Sequence, residues 1–468
     1  MCDLMITDAA VLFPDGSVRF GQTIEIADGR IKDVRPALEW EKGGAAQKEA
    51  ESGQEQDGAA QKEAGSAQER AGERISGRGK LVMPGLADCH MHTGQQLLKG
   101  RVLDALPMIW TRIMLPFEST LTDKKMELSA SIAALEMIKS GTTAFVDAGS
   151  YHMEAAAEVY VRSGLRGLIS ASTMDEEGLP ESIAQDADEA LAQTDRLYDG
   201  YHGKGNLKVA YSLRSLMSCS DGLVRKVSGR AKERGAKLQA HMNEYAGEVN
   251  HSLTRRQMRP FEYLDAAGVL DADFIAAHCL LLSEREKELL AARGVSVCHC
   301  PFSNCGKGAP DTPSLQARGI CVGLGTDGAA HAGLSLWNEM KIFRSVMNVE
   351  YGSRLNEPAV MPAGDILRMA TENGYRLMGE DGGCIAPGKQ ADLITIDLMQ
   401  PHLYPTGNVV HTLLECVTAA DVCDSVVNGR VLMRDRKVLT LDEERILGQA
   451  AEYMEREGRC RERGEETS

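Results

Sequence analysis

His90 and His92 stand one residue apart at the end of an apolar run, LVMPGLADCHMH, at 81–92. On a strand, alternate side chains share a face. Both imidazoles would therefore project from one strand end toward one point, as ligands of a metal ion must. An HxH pair alone is more often two surface or core histidines than a site, so its company decides. Further groups of the right chemistry are His241 and Glu244 in HMNE, His278 at the end of DFIAAH, and Asp327 in GLGTDG. Taken singly, His241 or His278 reads as a hydrogen-bonded core histidine, and Asp327 as a turn cap. Taken together, imidazoles and a carboxylate around an open position make a hydrolytic site for a divalent metal.

Such groups need a frame that brings distant segments to one point. From 81 to 328 short apolar runs alternate with amphipathic helical stretches. The runs lie at 81–92, 143–150, 165–173, 207–213, 237–244, 273–282, 295–301 and 321–328. Between them, segments such as KKMELSASIAALEMIKSG and SEREKELLAARG end in glycine, a common helix stop. Alternating strands and helices predict a parallel sheet, and eight such units predict an α/β fold closed as a (β/α)8 TIM-type barrel over 81–379. In such a barrel functional groups stand at the C-terminal ends of strands. His90 and His92 then end strand one, His241 and Glu244 strand five, His278 strand six and Asp327 strand eight.

The chain ends read differently. Residues 1–36 carry short β-like runs with an Asp28-Gly29 turn, a hairpin signal. A second set of short strands, with a turn at Asn428-Gly429, lies in 380–440. The two sets are expected to pair as a small β-sandwich-like domain formed by 1–80 and 380–440. The tract 39–79, where GAAQKEA occurs at 44–50 and again at 58–64, reads as a low-complexity, solvated insertion within it. A helical pair is expected over 361–379, and a charged helical tail over 441–468.

Composition narrows the function. Of 468 residues, 43% are hydrophobic, ample for a large core. A net charge of −16 argues against a nucleic-acid polymer as partner, but not against a single base or nucleoside. No apolar run approaches the roughly 20 residues of a membrane span, and the N-terminus lacks a signal-peptide pattern. Twelve cysteines without disulfide-scaffold spacing suit a reducing cytoplasm. Cys298-His299-Cys300 resembles half a zinc finger, but no second cysteine pair follows at finger spacing.

The motifs PGLADCHMH, LPFE at 115–118, SGTTAFVD, HMNEYAGE, HCP-x-SN at 299–304, GLGTDG and APGKQADL resemble the amidohydrolase superfamily, in its branch of nucleobase and nucleoside deaminases and chlorohydrolases. The resemblance implies that His90, His92, His241 and Asp327 hold one divalent metal, zinc or alternatively Fe2+. It also implies that His278 hydrogen-bonds the attacking water or developing oxyanion, and that Glu244 shuttles protons. The implied reaction is attack of a metal-activated water at an amino-bearing ring carbon, with loss of ammonia. The substrate class is an amino-substituted N-heterocycle such as a purine, pterin, pyrimidine or related nucleoside.

Candidate substrate contacts are Gln95, Trp110, Glu118 and His331; His299 and Asn304 are family-pattern residues near the mouth. The only lysine of strand four, Lys208, lies at the wrong end to bridge a second metal. Two departures fall in substrate-sensing loops: the SN run continues as SNCGKGAPDTPSL, and GTDG is followed by Ala329-Ala330-His331. Both weigh against methylthioadenosine or adenosylhomocysteine as substrate. A same-site hydrolase releasing chloride or an alkylamine is the alternative reading, and a non-catalytic metal-binding sensor a further one. A homo-oligomer, a dimer, is expected from the resemblance.

Overall fold

The computed structural model describes residues 2–41, 71–105, 109–328 and 333–462. The chain opens with strands β1 (Cys2–Leu12), β2 (Val18–Ala27), β3 (Arg30–Pro36), β4 (Ala71–Ser76) and β5 (Lys80–Pro84). Next come β6 (Leu86–His92), β7 (Thr142–Asp147), β8 (Arg166–Ile169), β9 (Leu207–Val209), β10 (Tyr211–Ser215), β11 (Leu238–Met242), β12 (Phe274–His278), β13 (Ser296–His299), β14 (Val322–Leu324) and β15 (Asp327–Gly328). The last four are β16 (Leu393–Asp397), β17 (Val422–Val427), β18 (Arg430–Arg434) and β19 (Lys437–Val438).

Each of the eight apolar runs contains a strand, and helices fill most of the intervals. The strands form two five-stranded parallel sheets, in the orders β15-β6-β7-β8-β9 and β10-β11-β12-β13-β14. Three of the expected strands are split. The first breaks at Gly85, so residues 81–84, expected in the first barrel strand, belong to β5 and to the sheet of the chain ends, while β6 lies in a parallel sheet. Ala210 alone separates β9 from β10; its N–H donates to Ile169 of β8, while that of Tyr211 donates to Lys237 on the other side. Gly325 and Thr326 separate β14 from β15, and Asp327 then pairs with Met91 of β6. At each split the chain changes its hydrogen-bonding neighbour, so the two sheets share two runs. Every residue of β6, β7 and β12 is buried, which is why these strands read as continuous apolar runs. The helix Asp123–Ser140 shows the local logic: Thr122 caps its start by accepting from Lys125 N–H, and Gly141 ends it at φ 84°.

The two ends of the chain meet in one nine-stranded sheet, ordered β19-β18-β17-β16-β5-β1-β2-β3, with β4 paired to β1. One expectation is corrected here. Residues 71–76 were expected inside a solvated insertion, yet they form β4, with Ile75 buried opposite Ile6. Glu41, near the start of the same tract, is buried and accepts from Arg35 and Thr23. The GAAQKEA repeats lie outside the described residues. Over the expected helical pair stand Ala363–Met369 and Glu372–Met378, and the tail forms the helix Glu443–Glu462. No described helix is long and apolar enough to cross a membrane.

A buried ionic knot joins the terminal sheet to the parallel strands. Asp392, in the APGKQADL motif, takes two hydrogen bonds from Arg166 of β8, at 2.6 and 3.2 Å. It also accepts from Tyr375 Oη and the Asn428 N–H. Asp392→Ala would leave a buried guanidinium short of its partner, a loss of about 3–5 kcal/mol. Urea denaturation of the variant is the check; a loss under about 1 kcal/mol would refute the clamp.

Candidate active site

His90, His92, His241, His278 and Asp327 converge where β6, β11, β12 and β15 end. His92 Nε2 lies 3.2 Å from Asp327 Oδ1 and 3.2 Å from His241 Nε2. His90 Nε2 lies 3.8 Å from Asp327 Oδ1. The His90 ring stands edge-on to those of His92, His241 and His278, with centroids 5.1, 4.7 and 5.2 Å away. Burial, followed by the mutual repulsion of the neighbouring imidazoles, holds His90 well below the usual histidine range. Burial and the same neighbours act likewise on His241. Neutral imidazoles keep a ring lone pair for a metal. His90 Nε2 is buried and has no hydrogen-bond partner, a costly state that a cation would relieve. The donor set, imidazole nitrogen and carboxylate oxygen, suits zinc and its neighbours. The residues therefore fit a divalent metal.

The backbone is bent to make this convergence. Asn243, His278, Cys279 and Asp327 all have positive φ, at 51°, 69°, 54° and 60°. Such left-handed residues cost of order 1–3 kcal/mol each and gather at functional sites. His299, expected near the mouth, is instead fully buried, with Nδ1 2.8 Å from the His278 carbonyl oxygen. It thus pins the strained residue. Asn304 Oδ1 lies 3.0 Å from His278 Nδ1 and fixes the other side of the ring. His278 Nε2 then faces Glu244 Oε2 at 3.7 Å. Burial pushes the Glu244 carboxyl up, but the charges of His278 and Lys307 outweigh it and hold the group below its ordinary range.

A cavity of about 280 Å³ opens onto these groups, with Gln95, Trp110, Arg214, Glu244 and Lys307 in its wall. Gln95 Nε2 donates to Glu118 Oε1 at 2.6 Å, and Arg214 donates to the same oxygen at 3.3 Å. Glu118 is therefore placed behind the wall, bracing Gln95 and Arg214. Trp110 sits in a π-helical turn with the Arg214 guanidinium 5.8 Å from its ring centroid. His331 lies outside the described residues. Lys208 is remote from the cavity and pairs with Glu380.

Arg214 and Lys307 are the two cationic cavity residues that sequence reasoning missed. Arg214 directly follows the apolar run at 207–213, and β10 carries it one step further, to 3.2 Å from His92 Nδ1. The cue was a charged residue continuing a buried strand. Cys298 and Cys300 are buried beside the site; Cys300 clusters with His278 and Asp327 and belongs to no finger-like set among the described residues.

Comparison with known proteins matches this arrangement. Residues 81–432 match the amidohydrolase family. The chain belongs to that family. It is 33% identical over 459 residues to a 5-methylthioadenosine/S-adenosylhomocysteine deaminase of Pelotomaculum thermopropionicum, covering 96% of this chain and 98% of that one. A 5'-deoxyadenosine deaminase of Methanothermobacter thermautotrophicus is 34% identical over 385 residues, 80% of this chain and 86% of that one. Among solved structures, an adenosine deaminase from Xanthomonas campestris with bound zinc superposes with a TM-score of 0.85 at 26% identity, covering 97% and 98% of the two chains. The expected class of activity is borne out: the chain is a metal-dependent hydrolase of carbon–nitrogen bonds in cyclic amidines.

Glu248, the last acid of HMNEYAGE, offers a test of the electrostatics. Its Oε2 accepts the Glu244 N–H at 3.0 Å, and its Oε1 is buried without a partner. Burial pushes its carboxyl from 4.5 up to about 8. The native state then retains a proton that the unfolded chain releases. The stability this gives is complete below the unfolded value and is lost as pH rises through the folded one. Glu248→Gln stays neutral throughout. It is expected to melt higher than the parent at about pH 9 and equally at about pH 4; thermal melts at both values decide, and a pH-independent difference would refute the assignment.

Proposed function

We propose that the two five-stranded sheets form one closed (β/α)8 barrel beside a small β domain built from both chain ends, and that its mouth deaminates an amino-substituted purine, a nucleoside of the adenosine type. The observation that carries the reading is the convergence of His90, His92, His241 and Asp327 on one point of a cavity that Glu244 and His278 also face. The names of the relatives supply the substrate class.

His90, His92, His241 and Asp327 would hold a single zinc ion. When bound, such an ion polarises water and lowers its pKa to about 7. Asp327 Oδ1 faces the ligand histidines and can take the proton of the attacking water. Glu244, ionised in the free state, takes up a proton and delivers it to the ring nitrogen beside the amino-bearing carbon. His278, held through Nδ1 by Asn304, presents Nε2 to the developing oxyanion. The bond between ring carbon and amino group then breaks. Ammonia leaves with a proton from the acid groups, and the ring keeps the water oxygen as an oxo group. Arg214 and Gln95 orient the ring, with Glu118 fixing both.

Ammonia release from 5'-deoxyadenosine, 5'-methylthioadenosine, adenosine, guanine and an aminotriazine, on protein of measured metal content, tests the reading. An adenosine-type nucleoside should be the best substrate, and no release from any of them with metal bound would sink the proposal. Glu244→Gln and Asp327→Asn should each lower turnover about 10²–10⁴-fold. Metal analysis should give one equivalent per active chain; two would overturn the single-ion site.

A further inference from the structure

One short segment touches every acid–base group of the site. Ser303 Oγ donates to Asp327 Oδ2. Asn304 Oδ1 meets His278 Nδ1. Lys307 Nζ donates to Glu244 Oε1 at 2.6 Å and to Ser303 Oγ at 2.9 Å. The segment is compact because it continues the short helix Pro301–Asn304. The N–H groups of Lys307 and Gly308 both return to the Asn304 carbonyl, and Gly306 turns the chain at φ 85°. That φ favours glycine, and it directs Lys307 inward, where the side chain is 15% exposed and also lies over the Tyr245 ring.

These contacts divide the oxygens of the two carboxylates. Asp327 Oδ2 is tied to Ser303, while Oδ1 faces His90 and His92. Glu244 Oε1 is tied to Lys307, while Oε2 faces His278. We propose that Ser303 and Lys307 are positioning residues, a bracket that holds one oxygen of Asp327 and one of Glu244 so that the other oxygen of each is aimed at the reacting centre. The inference rests on the metal site and on the acid–base roles proposed above.

A carboxylate free to rotate presents either oxygen, and rotation carries it off its target. The bracket removes that freedom from both groups at once, and a single cation serves it. Partners behind metal ligands commonly change metal affinity or activity about 10–100-fold when removed. Lys307 lines the substrate cavity too, so a direct contact with substrate is the competing role, and it separates kinetically. A positioning residue acts on turnover, whereas a contact made equally in ground and transition states acts on KM.

The test has one arm that needs no substrate. Zinc affinity of full-length protein is measured by competition with a chromophoric chelator. Ser303→Ala is expected to weaken it about 10–100-fold, and Ser303→Thr, which keeps the hydroxyl, to restore most of it. In the second arm, with 5'-deoxyadenosine as probe, Lys307→Met should lower kcat about 10–100-fold with KM and zinc content near the parent's. Lys307→Arg should recover much of the loss. Unchanged zinc affinity in Ser303→Ala, or a Lys307→Met effect confined to KM, would overturn the bracket. If the parent deaminates none of the probes, the substrate reading fails alone, and the zinc arm still decides the role of Ser303.

Discussion

The structure turns on one electrostatic constraint: several imidazoles are buried together with a ring nitrogen that nothing in the protein satisfies. His90 Nε2 is the clearest case. An unsatisfied buried polar atom costs about 1–3 kcal/mol, and protonation cannot relieve it because its neighbours are imidazoles too. A divalent cation resolves the conflict by accepting the lone pairs without adding protons. The surrounding protein is organised to keep that conflict in place. Asp327 Oδ1 faces His90 and His92, and His299 and Asn304 stop His278 from relaxing away.

Holding five side chains to one point from four separate strands requires a frame that does not yield. Parallel strands buried on both faces provide it, since a slip of one residue would turn every ligand to the wrong side. The frame gives way only where the site needs it. Asp327 follows a break in its strand run at Gly325 and Thr326. A side chain at Gly325 would strike the backbone of His90, its Cβ falling 2.7 Å from the His90 nitrogen and carbonyl oxygen. The absence of a side chain there lets the last strand approach the first closely enough for Asp327 and His92 to share a site. Asp88 secures the same approach by accepting from the N–H and hydroxyl of Thr326.

Much of this was legible in the sequence. Strands buried on both faces leave continuous apolar runs, so all eight were located, and the polar residues ending them are ones that the structure brings together. The splits at 85, at 210 and at 325–326 were not legible, because a strand that changes partners keeps the same apolar composition. β4 was hidden because six residues with one buried isoleucine carry no periodicity; only its partner β1 makes it a strand. Arg214 was hidden for a related reason. An arginine after an apolar run reads as a solvated strand end, whereas here Glu118 and the carbonyl of Gly149 receive it inside the fold. Lys307 lies in a glycine-rich loop, where composition predicts exposure and only the turn at Gly306 reverses it.

The two hidden cations share a logic that composition conceals in a chain of net charge −16. Besides Asp327, the cavity wall carries the carboxylates of Glu244, beside His278, and Glu248, and Glu118 stands behind Gln95. Burying an ionised carboxylate without a counter-charge is costly enough that the group normally neutralises instead. Glu248, which lacks a cation, illustrates that outcome, with its carboxyl pushed up to about 8. Glu244, four residues earlier, is moved in the opposite direction. The difference lies in its partners, since Glu248 accepts from backbone N–H groups while Glu244 faces His278 and Lys307. Glu244 therefore owes its charge to His278 and Lys307, both far away in sequence, which is why the motif alone could point to the proposed proton shuttle but not set its charge.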